Sequence, residues 1–98
     1  MSERIRNLAG LDRLVHEPGR LAIVSLLSAV EEADFLYLLN ETGMTKGNLS
    51  SHLAKLESGG YVKIEKTYRG KIPLTVCTLT PSGRTAFKSY RAALRESL

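Results

Sequence analysis

Between Thr45 and Leu56 the chain reads TKGNLSSHLAKL, a stretch without a single acid. Its polar members are the amide of Asn48, the hydroxyls of Thr45, Ser50 and Ser51, the imidazole of His52 and the ammonium groups of Lys46 and Lys55. If the stretch is helical, Leu49, Leu53 and Leu56 share one buried stripe. At 100° per residue Gly47, Asn48, Ser51 and Lys55 then point away from it, with Thr45 and Lys46 on the first turn and His52 on the flank. An exposed helix face ordinarily carries Glu/Lys pairs. This one is small, polar and cationic, a composition that suits a major groove. Asn48 can pair bidentately with adenine, Lys46 and Lys55 can reach guanine or phosphate, and Ser51 can contact either. Gly47 costs a helix up to about 1 kcal/mol relative to alanine. It reads either as close approach of the backbone to nucleic acid or as tolerance near a helix start.

A second acid-free cluster follows, with Lys66, Tyr68, Arg69 and Lys71 around Gly70. On a hairpin tip such residues lie along phosphates or enter a minor groove, where arginine reads width. The bland reading is an edge blunted by lysines against aggregation; the lack of acids favours nucleic acid. Lys63 is expected to pair with Glu65 or Glu57, and Ser50 to pack or touch phosphate. Other chemistry is hard to find. His16, His52 and Cys77 are the only soft ligands and lack metal-site spacing, so neither metal nor cofactor is expected. Cys77 reads as a small buried hydrophobe, and His52 as a DNA contact or a partly packed polar residue, with no acid partner in the sequence that would suggest catalysis. The glycines form no phosphate-binding fingerprint, and Ser50 and Ser51 lie in no nucleophile elbow. An enzyme is therefore not expected.

The elements that must position these residues follow from periodicity and punctuation. Residues 1–4 are expected to fray. Ile5, Leu8, Leu11, Leu14 and Val15 recur at helical spacing and predict a helix over 5–15, stopped by His16-Glu17-Pro18. Pro18 then opens a second helix through Val30, apolar on most sides. Glu31 and Glu32 mark a turn. Asp34 caps a third helix with Phe35, Leu36, Leu38 and Leu39 as its buried face, ended at Gly43. Thr45 caps the fourth, which Gly59-Gly60 terminates. The period then changes to two. Tyr61–Tyr68 and Ile72–Leu79 read as strands around an Arg69-Gly70-Lys71 turn, with Pro73 confined to an edge or bulge and the buried face of the second strand ambiguous. Thr80-Pro81 opens a last helix over 81–97, lined by Phe87, Tyr90, Leu94 and Leu98. The expected fold class is α+β and mostly helical: a helix-turn-helix followed by a two-stranded β-hairpin wing, with flanking N- and C-terminal helices.

At 98 residues the chain is expected to be a single domain, 1–98. Hydrophobic residues make up 43% and charged residues 24%, which excludes wholesale disorder. One cysteine excludes an internal disulfide. The lack of a long apolar run or an apolar leader predicts no membrane association and a cytoplasmic location. The net charge is +4 but uneven: residues 1–43 carry −3 and residues 44–88 carry +6. A polyanion partner is one reading of that asymmetry and solubility alone is the other.

The motifs MTKGNLSSHLAKLESGGYVKIEK, YRGKIP and LTPSGR, in this order and spacing, resemble winged-helix transcriptional regulators of the ArsR/MarR superfamily. The resemblance covers nearly the whole chain and implies a homodimer that binds double-stranded DNA at a palindromic site, with repression as the expected mode. In it the helix 45–58 reads the major groove and the wing 66–73 grips the backbone or minor groove. Two departures stand out. The third and last helices lack the Cys, His and Asp ligands of metal-sensing members, and typical MarR-type regulators are longer than these 98 residues, with extra helices that form a ligand pocket. Ile5, Leu8, Leu11, Phe87, Tyr90, Leu94 and Leu98 form the expected dimer interface; the stripe closing over its own core is the other reading. The rival functions are a winged-helix protein–protein module without specific DNA binding, and an RNA-binding winged helix.

Overall fold

The computed structural model describes residues 2–98. Helix α1 (Glu3–Ala9) is followed by α2 (Pro18–Ser28), strand β1 (Ala33–Asp34), α3 (Phe35–Thr42), α4 (Lys46–Ser58), β2 (Val62–Arg69), β3 (Ile72–Leu79) and α5 (Pro81–Ser97). The boundaries are set locally. The side chains of Asp34, Thr45 and Thr80 each accept from a backbone N–H three residues on, satisfying donors the first helical turn leaves free. Gly43 closes α3 in the left-handed region, at φ 67°. Gly70, at φ 63°, makes the two-residue turn between Arg69 and Ile72, which face each other across the hairpin.

The first helix is shorter than its apolar spacing predicts. It begins at Glu3, capped by Ser2, so residues 3–4 are helical, while Met1 lies outside the described residues. It ends at Ala9 rather than Val15, because Gly10 follows and Asp12 then accepts from the N–H groups of Leu14 and Val15 in a local turn. Leu11 and Val15 are still buried, but from a loop. Leu36, expected on the buried face of α3, is 61% exposed; Leu38 fills that place.

The sheet has three strands, not two, in the order β1-β3-β2, all antiparallel. The third strand is Ala33 and Asp34, opposite Cys77 and Val76. Register settles the face of β3: Cys77 and Leu79 are buried, and Ile72 is exposed near the tip. Pro73 lies beyond the short reach of β1, where β3 has a neighbour on one side only. One core joins all layers. Ile23, Val24 and Leu27 of α2 meet Leu38, Leu49, Leu53, Leu56, Cys77, Leu79 and Phe87. Each fully buried leucine contributes about 1.5–3 kcal/mol relative to exposure, so the stripe Leu49–Leu53–Leu56 alone fixes which face of α4 looks outward.

Candidate nucleic-acid interface

With that stripe turned inward, Lys46, Gly47, Asn48, Ser51 and Lys55 lie on the exposed face of α4. Thr45 is also exposed, but its hydroxyl is engaged as the helix cap, 3.1 Å from the Asn48 N–H. Gly47 has no intramolecular reason to lack a side chain: a Cβ there would meet nothing within 4 Å, and its φ is not positive. Ser50 is exposed on the wing side. There it lines a groove of about 340 Å³ with Ala54, Glu57, Ile64 and Lys66, so an acid enters the surface only beyond the reading stretch.

The hairpin projects four more of the expected residues. Lys66, Tyr68, Arg69 and Lys71 are all exposed, Tyr68 to 70%. Arg69 shares a hollow with Glu32, Asp34 and Tyr37 at the β1 edge. Lys63 pairs with Glu65 at 2.8 Å; the hydrogen bond and charge of Glu65 hold the ammonium pKa above its ordinary value. That pairing takes Lys63 out of the candidate surface.

His52 lies on the flank of the stripe, partly packed, with partners the sequence does not show. It is half-buried and does have an acid partner: its Nδ1 lies 3.3 Å from Glu17 Oε2 and 3.3 Å from Arg20 Nη1. In the sequence Glu17 is part of a helix stop; in the structure its carboxylate caps α2 by accepting from the Gly19 N–H. Burial raises the Glu17 pKa, but the Gly19 hydrogen bond and the neighbouring His52 and Arg20 charges outweigh it, so the net shift is downward. Nothing in the sequence signals this cluster beyond the cap position before Pro18.

The expected dimer residues divide in two. Leu11, Phe87 and Tyr90 are already buried in the chain's own core, and the Tyr90 hydroxyl bonds His16 Nδ1 at 2.8 Å. They are core residues rather than free surface, because α5 packs back over the loop after α1. Leu94 is partly buried beside them. Ile5, Leu8 and Leu98 remain exposed, Leu98 to 78%. Cys77 is fully buried, and burial pushes its thiol pKa up to about 11. Among the described residues no group of three or more His, Cys, Asp or Glu could hold a metal ion, and no helix is long and apolar enough to cross a membrane.

A helix-turn-helix whose second helix shows an acid-free polar face, followed by a cationic hairpin, defines a winged-helix DNA-binding domain of the kind found in transcriptional regulators. The chain belongs to the winged helix DNA-binding domain family, whose model matches residues 20–98. It is 40% identical over 72 residues to an uncharacterized protein of Methanocaldococcus jannaschii, covering 72% of this chain and 77% of that one. Its fold matches a transcriptional regulator homologue from Pyrococcus horikoshii OT3 at a TM-score of 0.87 and 29% identity, over 96% of this chain and 92% of the other. A MarR-family regulator from Enterococcus faecalis V583 shares the fold at a TM-score of 0.76 and 19% identity, over 97% and 84% of the two chains. An ArsR family transcriptional regulator and a protein with a GntR superfamily winged-helix-turn-helix domain share it as well.

Proposed function

We propose that the chain acts as a single domain whose homodimer binds a palindromic duplex operator and represses transcription by occluding it. The α4 helix lies in the major groove, with Asn48 and Ser51 on base edges and Lys46 and Lys55 on guanine or phosphate. The wing residues Lys66, Tyr68, Arg69 and Lys71 follow the backbone or minor groove. Two copies pair through the exposed apolar positions Ile5, Leu8 and Leu98, with Leu94 beside them. The observation that carries this reading is the outward face of α4: it is exposed from Lys46 to Ser51 apart from Leu49, bears no acid, and holds a glycine that internal packing does not require.

Selection from random duplex DNA with the purified chain, read at two salt concentrations, tests it. Recovery of a two-fold symmetric site whose affinity falls steeply with salt is expected. Weak, sequence-blind binding would overturn it in favour of a protein-contact role, and equal affinity for structured RNA would overturn it in favour of RNA.

A further inference from the structure

The last helix carries a second cationic surface, outside α4 and the wing. Arg84, Lys88, Arg91 and Arg95 of α5 are all exposed. At 3.6 residues per turn they fall within about a 60° arc and span about 16 Å of helix. Glu96, the one acid of α5, falls outside that arc. The four line a groove of about 460 Å³ together with Phe87 and, from the end of α2, Ser28; among the described residues no acid lines it.

Internal packing does not call for this row. Like charges three or four residues apart on a helix destabilise it, and three such pairs stand here: Arg84 with Lys88, Lys88 with Arg91, and Arg91 with Arg95. Among the described residues none of the four has an ion-pair partner. Arg84 does hold the chain, donating to the carbonyls of Ser28 and Val30 at 3.4 and 3.2 Å. The Arg91 guanidinium lies over the Phe87 ring, 5.6 Å from its centroid, and Arg95 suits the last turn of a helix. Lys88, in the middle of the row, has no such use.

The chemistry of the row selects its partner. A protein partner would seek aromatic anchors at the centre of the patch, but Phe87 is buried and no exposed large hydrophobic residue lines the groove. Three of the four cations are arginines, whose planar fork takes phosphate oxygens in pairs. The row does not continue the wing. Val30, whose carbonyl holds Arg84, also lines the hollow in which Arg69 sits with Glu32 and Asp34. A phosphate backbone running from the wing to α5 would have to cross those carboxylates. Nor does the row adjoin the reading helix through α2: α4 meets the first turn of α2 through His52 and Glu17, whereas the groove lies at Ser28, the other end.

We propose that Arg84, Lys88, Arg91 and Arg95 form a second phosphate-binding surface, which holds the backbone of a duplex segment other than the one held by α4 and the wing, so that one chain joins two segments. The inference rests on α4 and the wing holding the first segment.

The test saturates beads carrying one duplex with the protein and reads capture of a second, fluorescent duplex of scrambled sequence at about 50 and about 200 mM salt. The wild type should capture it. Removing two phosphate contacts lowers the salt exponent by about 2. Across that range the wild type should therefore lose about tenfold more affinity for the captured duplex than the double substitution Lys88→Gln with Arg95→Gln. Anisotropy should show unchanged affinity of the double variant for the selected duplex. Lys88→Glu turns two repulsive pairs into attractive ones, so its melting temperature should hold or rise while capture falls, which separates loss of capture from loss of fold. No capture by the wild type, or equal capture by wild type and variants, overturns the proposal. Capture of polyglutamate in place of duplex overturns it in favour of an acidic protein. Equal losses for both duplexes place the row on the first duplex and overturn the second segment. A wild type that captures the second duplex yet prefers no sequence refutes base reading by α4 alone; loss of that capture in the double variant still upholds the surface on α5.

Discussion

Gly47→Ala should change stability and DNA binding in opposite directions. Gly47 is the second residue of α4, its φ is not positive, and the added Cβ would meet nothing within 4 Å. The substitution therefore costs the free protein no strain and removes backbone entropy from the unfolded chain, which stabilises by about 0.4–1 kcal/mol. For a domain of this size, that raises the melting temperature by about 2–8 °C. In the proposed complex the same methyl stands on the face directed at the duplex. If it holds the backbone off far enough to lose one bidentate base contact, worth about 1–3 kcal/mol, the affinity for the preferred site falls about 5- to 150-fold. Thermal melting and fluorescence anisotropy on one preparation give both numbers. A more stable variant that binds as tightly as the wild type would refute the reasoning, and would leave Gly47 as a residue merely tolerated near a helix start.

Other substitutions separate the roles of neighbouring groups. Lys71→Ala should weaken binding to all duplexes alike and reduce the salt slope by about 1, whereas Asn48→Ala should relax base preference at one position; parallel losses for both, measured across a panel of sites, would sink that division. Gly83→Ala should lower the melting temperature, because its Cβ would stand 2.3 Å from the Tyr61 carbonyl oxygen and 2.7 Å from Leu79 Cδ1, an overpacking cost of about 1–3 kcal/mol. Cys77 should resist alkylation in the folded chain at mildly alkaline pH and react on denaturation. Its thiol holds its proton up to about pH 11 when folded but ionises sooner when unfolded, so its stabilising contribution is present below the ordinary thiol range and is lost as the pH rises toward that value. Rapid labelling of the native protein would contradict this.

What could be seen in the sequence is what is decided within a few residues. The caps at Asp34, Thr45 and Thr80, the stop at Gly43 and the turn at Gly70 all act through their own backbone, and each stands where its residue type predicts. The stripe of Leu49, Leu53 and Leu56 fixed the outward face of α4 for the same reason. The misses have distant causes. A two-residue strand at Ala33 has no period to detect, and it exists because Cys77 and Val76 lie beside it. Leu11 and Val15 keep helical spacing while buried from a loop, since burial depends on where the chain passes and not on its local form. His52 looked unpartnered because Glu17 lies on another helix and its role there was hidden behind Pro18.

The same distinction bears on how two copies would meet. A stripe of Phe87, Tyr90, Leu94 and Leu98 suggests one continuous sticky face, yet the structure divides it. Its first half closes the chain's own core, with the Tyr90 hydroxyl satisfied by His16, and only its last turn stays apolar and open. That turn is held beside α1 by the bond from Arg4 Nε to the Ser97 carbonyl, 2.9 Å long, so Leu98 is tied to the helix that exposes Ile5 and Leu8. Substitutions at Phe87 or Tyr90 would therefore report on folding, whatever the oligomeric state. Only Ile5, Leu8 and Leu98 can be changed with little loss to the core, and it is at these three that the proposed pairing can be separated from the stability of the monomer.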